Sequence, residues 1–108
     1  MVLEEDPLIR PLLECWLYEA GYEVVPPQGG IRPALVIADV RDPAAAEAFV
    51  ASLREYAAPI LLLSARFRRG LSDSAAATRR LGVEKVLPKP FTRNEFLSAL
   101  RETLERSL

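Results

Sequence analysis

Histidine is absent from this chain. Histidine-based catalytic triads and histidine-ligated metals are therefore excluded. There is one cysteine, Cys15, so no disulfide can close within the chain, and a reducing, cytoplasmic setting is expected. No apolar run is long enough to span a bilayer. The opening Met1-Val2-Leu3-Glu4-Glu5-Asp6 has no basic stretch before an apolar one, so no signal peptide is expected. An excess of either charge is also missing. The 14 basic and 15 acidic residues leave a formal charge of −1. Without a global basic field, neither nucleic acid nor a membrane is expected as a partner. Repeats and low-complexity segments are lacking.

What remains is an ordinary globular composition, with 50% hydrophobic and 27% charged residues. The 108 residues are read as one domain, 1–108, able to bury a core without disulfides or a structural metal. Met1 to Leu3 reads as a short buried strand ending in acids. Asp6-Pro7 opens a helix, with Asp as cap and Pro in the first turn. Ile9, Leu12, Leu13, Trp16, Leu17 and Ala20 keep the spacing of one buried helix face. Gly21 ends that helix, and Tyr22 to Val25 reads as a second strand.

Pro26-Pro27-Gln28-Gly29-Gly30-Ile31-Arg32-Pro33 has no helical period and five Pro or Gly residues, so it is a loop. Ala34 to Ala38 is continuously apolar, as in a parallel strand covered on both faces, and ends at Asp39. Asp42-Pro43 repeats the cap-plus-proline start before a stripe of Ala46, Phe49, Val50 and Leu53. Pro59 to Leu63 is another apolar strand, ending at Ser64. A loop over 66–72 carries Arg66, Arg68 and Arg69, which read as solvated side chains or, second, as a docking patch for an acidic partner. Ser74 to Leu81 is a short helix closed by Gly82. Lys85 to Leu87 is the last strand, broken by Pro88-Lys89-Pro90, and the Lys89-Pro90 bond is a candidate cis peptide. Thr92 and Glu95 form a capping box ahead of the final helix, whose buried face carries Phe96, Leu97, Leu100 and Leu104. Trp16, Phe49 and Phe96 are expected in the core, and Cys15 is expected to be a packing residue.

Alternating strands and helices predict right-handed crossovers and a parallel sheet. Glu4 and Glu5, Asp39, Ser64 and Lys89 each follow or end a strand. Function in open α/β sheets gathers at that rim. Each residue has a plainer reading: solvated acids for Glu4 and Glu5, a turn for Ser64, a surface lysine for Lys89. Asp39 is harder to dismiss, because strands disfavour aspartate.

Five segments in order resemble the response-regulator receiver family. They are Glu4-Glu5-Asp6-Pro7-Leu8-Ile9-Arg10, Glu19-Ala20-Gly21-Tyr22-Glu23-Val24, Leu35-Val36-Ile37-Ala38-Asp39-Val40 with Pro43 following, Ile60-Leu61-Leu62-Leu63-Ser64-Ala65, and Leu87-Pro88-Lys89-Pro90-Phe91. The resemblance implies a flavodoxin-like receiver fold, a five-stranded parallel sheet of order 2-1-3-4-5, here with four rather than five helices. It implies Asp39 as phospho-acceptor, with Ser64 and Lys89 contacting the phosphoryl group. It implies Mg2+ on Glu5, Asp39 and the Arg41 backbone carbonyl, with Glu4 acting through water. It implies a sensor histidine kinase or phosphotransfer protein as donor, a downstream protein partner and a homodimer as one allowed assembly. No enzyme activity is expected beyond Mg2+-dependent self-phosphorylation and autodephosphorylation. No helix-turn-helix or other effector segment is read in the sequence.

The chain also departs from the family. Between Val25 and Ala34 there is no room for the family's second helix. Extended at about 3.3 Å per residue, the loop over 26–33 reaches about 26 Å, against roughly 20 Å needed to pass one strand, so the crossing closes but is taut. One sheet face should be left partly uncovered there. Glu5 stands where the family usually has Asp, and Val86 where it usually has an aromatic switch. These departures support a competing reading, a pseudo-receiver that binds proteins but never takes up phosphate. A nucleotide-binding flavodoxin-like domain is weaker, since no glycine-rich loop follows the first strand.

Overall fold

The computed structural model describes residues 1–4, 6–27, 29–40, 46–64, 78 and 82–106. Within these lie β1 (Val2–Leu3), α1 (Ile9–Glu19), β2 (Val36–Asp39), α2 (Ala46–Leu53) running into a 3-10 turn (Arg54–Tyr56), β3 (Ile60–Ser64), β4 (Lys85–Pro88) and α3 (Arg93–Arg106). The four strands form one parallel sheet in the order β1-β2-β3-β4. Thr78, in the short helix expected over 74–81, is helical; the rest of that segment lies outside the described residues.

Strand parity sorts the apolar side chains into two layers. Leu35, Ile37, Leu61, Leu63 and Leu87 face α1 and α3, where they meet Leu13, Leu17, Phe96, Ala99 and Leu100. Val36, Ala38, Val40, Ile60, Leu62 and Val86 face the opposite way, toward Ala46, Val50 and Leu53 of α2. This explains why β2 and β3 read as unbroken apolar runs: both faces are covered. Side chains such as Leu13, Leu61 and Phe96 are wholly buried. Each contributes roughly 1.5–3 kcal/mol of transfer free energy.

Of the expected helix starts, Asp42-Pro43 lies outside the described residues, α1 begins at Ile9 with Leu8 as its N-cap and not at Asp6-Pro7, and the capping box ahead of α3 is present. Asp6 Oδ1 accepts from the Leu8 N–H at 2.8 Å and from the Ile9 N–H at 3.4 Å, capping the turn ahead of α1. At α3 the capping box is reciprocal: the Glu95 N–H donates to Thr92 Oγ1 at 3.1 Å, and the Thr92 N–H donates to Glu95 Oε1 at 2.9 Å. The Lys89-Pro90 peptide is cis. No helix among the described residues is long and apolar enough to cross a membrane.

Several expectations need correction. Tyr22–Val25 is not a ladder strand, so the sheet has four strands among the described residues and not five. Tyr22 and Val24 still pack against the α1–α3 layer, and Val25 against the α2 layer. The segment lacks the ladder because β1 is only two residues long and the chain runs at once into Pro26-Pro27, which cannot donate. The loop that follows contains no helix among its described residues, as its length demanded, and Leu3 and Val25 are left half-buried beside it. On α1 the buried face is narrower than the periodicity suggested. Leu13 and Leu17 are buried and Ile9 and Trp16 half-buried, but Leu12 is exposed, as is Ala20 past the helix end. Cys15 is also exposed, its Sγ donating to Glu19 Oε1 at 3.1 Å; it sits on the solvent side of the helix, opposite the sheet. Phe49 is half-buried, while Phe96 is fully in the core.

Candidate functional site at the carboxyl rim of the sheet

The parity that places Val2, Ile37 and Leu87 on the α1–α3 side continues one pleat further, to Glu4, Asp39 and Lys89. Parallel register does the rest. Asp39 lies beside Leu63 and Ser64 beside Pro88, so the strand ends are level. The Val40 N–H donates to the Leu63 carbonyl at 2.9 Å and the Lys89 N–H to the Ser64 carbonyl at 2.9 Å, tying the segments just past the strands to β3.

The outcome is a shared cation. Lys89 Nζ lies 2.7 Å from Glu4 Oε1 and 2.7 Å from Asp39 Oδ1. The Glu4 side chain is 1% exposed, those of Asp39 and Lys89 9% and 15%, so among the described residues this is a nearly dry cluster of one positive and two negative groups. Ser64, at the end of β3, is fully buried. Burial raises the Glu4 pKa; Lys89 opposes that by hydrogen bonding, but Asp39 adds to it, and the net position is above the usual carboxylate range. Burial alone would lower Lys89, yet hydrogen bonds and charge from Asp39 and Glu4 outweigh it and hold the ammonium above the ordinary lysine value. Both directions follow from one cation divided between two acids, of which Glu4 is the more deeply buried.

Glu4 Oε2 is buried and has no hydrogen-bond partner. A buried carboxylate oxygen without a partner is costly unless something else completes it. The donor set available, carboxylate oxygens on Glu4 and Asp39, is the type that suits Mg2+. Among the described residues no group of three acidic, histidine or cysteine side chains forms a metal cluster.

Of the residues singled out in the sequence, the structure brings together Glu4, Asp39 and Lys89, with Ser64 at the end of the strand between the last two. Glu5 and Arg41 lie outside the described residues. Val86 is buried in the layer under α2. The sequence reading gave Glu4 only a role through water and missed its direct contact with Lys89. The signal was there: Glu4 has the parity of Val2, and Glu5 that of Leu3.

A parallel sheet covered by helices on both faces is the receiver-type α/β fold, and the comparisons agree on that fold. The transcriptional regulatory protein PdtaR of Mycobacterium tuberculosis is 33% identical over 120 aligned positions, covering 98% of this chain and 56% of PdtaR. The chain therefore spans about half the length of the curated relatives it matches. Among solved structures, a response regulator receiver protein from Burkholderia phymatum superposes with a TM-score of 0.73 at 20% identity, covering 96% of this chain and 92% of that one. A sensor protein from Polaromonas sp. JS666 gives 0.72 at 24% identity, covering 99% and 95%. No family model matches the chain. The chain therefore has the fold of response-regulator receiver domains and is similar in sequence, over nearly its whole length, to part of a curated transcriptional regulator.

Proposed function

We propose that the domain accepts a phosphoryl group on Asp39 and signals through protein contacts. The observation that supports this best is the pair of 2.7 Å contacts that hold Lys89 Nζ between Glu4 and Asp39 in a nearly dry rim. An Asp39 carboxylate oxygen attacks phosphorus. A new O–P bond forms as the bond to the donor's nitrogen or oxygen breaks, and the leaving group departs with the electron pair. Most of the barrier in such a transfer is charge and alignment. Lys89, kept protonated by its two acids, turns toward the phosphoryl oxygens as a point charge, and the Ser64 hydroxyl supplies a hydrogen bond. Glu4, Asp39, Glu5 and the Arg41 carbonyl would hold Mg2+, which when bound neutralises developing negative charge.

The donor class is a sensor histidine kinase or phosphotransfer protein, in the cytoplasm. Output runs through a downstream protein, with a homodimer as one assembly. The domain is no enzyme toward other substrates; at most it phosphorylates itself and loses the group with Mg2+ present. PdtaR is a transcriptional regulatory protein, so an input role in a longer regulator fits the same reading.

A second reading, a pseudo-receiver, draws on Val86. It is 4% exposed and packed in the core, with no ring to swing on phosphorylation. Incubation with acetyl phosphate and Mg2+, followed by intact mass, separates the two. The first reading expects a phosphoryl adduct on the native chain and none on Asp39→Asn. An unlabelled native chain would count against the first reading and for the pseudo-receiver.

A further inference from the structure

Two residues beyond Lys89, the Phe91 ring is packed on two sides. It stacks on Phe96 of α3, with centroids 5.8 Å apart and planes at 19°. Trp16 of α1 meets it edge-on at 6.5 Å and 62°, and also leans on Phe96 at 5.8 Å. Phe96 is wholly buried, so it is a fixed anchor. Phe91 itself is only half-buried. We propose that Phe91 is a positioning residue for Lys89: its ring, wedged between Trp16 and Phe96, fixes the turn from which the ammonium reaches Glu4 and Asp39.

The physical argument starts from the lysine stem. Four methylenes give it many rotamers, and an ammonium is a point charge with no built-in direction. Two simultaneous contacts at 2.7 Å need the Lys89 backbone fixed at both ends. On the strand side, the Lys89 N–H is bound to the Ser64 carbonyl. On the helix side, the next bulky anchor is Phe91. Without its ring, the helix side is held only by the Thr92–Glu95 box one residue further on, and the stem can swing away from Asp39 while the sheet beneath stays intact.

The catalytic part of this inference rests on Asp39 being the acceptor; the geometric part does not. The chain has only two lysines, Lys85 and Lys89, and Lys85 is paired with Glu102 on α3, so it serves as an internal control. In the full chain labelled with carbon-13 lysine, the ε-methylene protons of a held ammonium give two separate shifts. Phe91→Ala should merge the Lys89 pair toward one averaged line and leave the Lys85 signal unchanged. Phe91→Tyr, which keeps the ring, should retain the Lys89 splitting. If Phe91→Ala loses both lysine signatures together with its circular dichroism, Phe91→Leu, which fills the space without a flat ring, is the deciding variant. Labelling by acetyl phosphate should slow roughly ten- to hundredfold in the variant that merges the Lys89 signals, and little in Phe91→Tyr. An unchanged Lys89 splitting in a folded Phe91→Ala or Phe91→Leu overturns the proposal. A native chain that takes no phosphate overturns the Asp39 reading instead, and the lysine spectra still decide the role of Phe91.

Discussion

Replacing Lys89 with methionine removes a cation that Glu4 and Asp39 share, and its consequence can be worked from the geometry. At 2.7 Å and an effective dielectric of about 20, each contact has a gross attraction of about 6 kcal/mol. Desolvating the three groups cancels much of this, so the intact cluster adds little net stability. The variant has no such cancellation, because Glu4 stays 1% exposed without its partner. Stranding a buried charge in this way costs about 3–5 kcal/mol, a large part of a domain's ordinary 5–15 kcal/mol. The loss should depend on pH. Glu4 already has a raised pKa in the folded chain, so its contribution is full below the ordinary carboxylate range and fades as pH rises through the folded value. Removing Lys89 raises that value further. Urea unfolding should therefore show a smaller Lys89→Met deficit at about pH 5 than at about pH 8. Adding Glu4→Gln to Lys89→Met should recover most of the loss at the higher pH. A Lys89→Met chain within about 1 kcal/mol of the native one, and indifferent to pH and to Glu4→Gln, would refute a buried charge at Glu4.

Further outcomes follow from other parts of the fold. Thr92→Ala deletes one arm of the α3 capping box and should cost about 1 kcal/mol in urea unfolding. Gly82 has φ +71°, and a Cβ there would lie 2.8 Å from Arg54 Nη2; Gly82→Ala should lower stability by about 1–2 kcal/mol, mostly through the left-handed backbone, since the arginine can move. The Cys15 thiol is pushed up by its hydrogen bond to Glu19, so Glu19→Gln should speed its alkylation near neutral pH by increasing the thiolate fraction.

Much of this fold could be read in the chain, for reasons visible at particular residues. The apolar runs at 34–38 and 59–63 read as strands covered on both faces, and the Thr92–Glu95 box reads as a helix start. The Lys89-Pro90 turn and the order of the strand ends point to one rim carrying Asp39, Ser64 and Lys89. Three things were less legible. Whether Tyr22–Val25 joins the ladder depends on how much strand β1 offers, and two residues do not announce that. The exposure of Leu12 and Cys15 depends on the roll of α1 against the sheet, which periodicity leaves uncertain by a fraction of a turn. Glu4 is hard to rank above Glu5 from likeness to the receiver family, and only pleat parity, which puts Glu4 on the side of Val2, separates the two acids.

Asp39 is the proposed phosphoryl acceptor at this rim. The most direct measurement is borohydride trapping after acetyl phosphate and Mg2+ treatment, with peptide mapping. Reduction of an acyl phosphate leaves homoserine at the modified aspartate. The account predicts homoserine at position 39 alone, dependent on Mg2+. Its absence there, or its appearance at another acid with position 39 untouched, would contradict it.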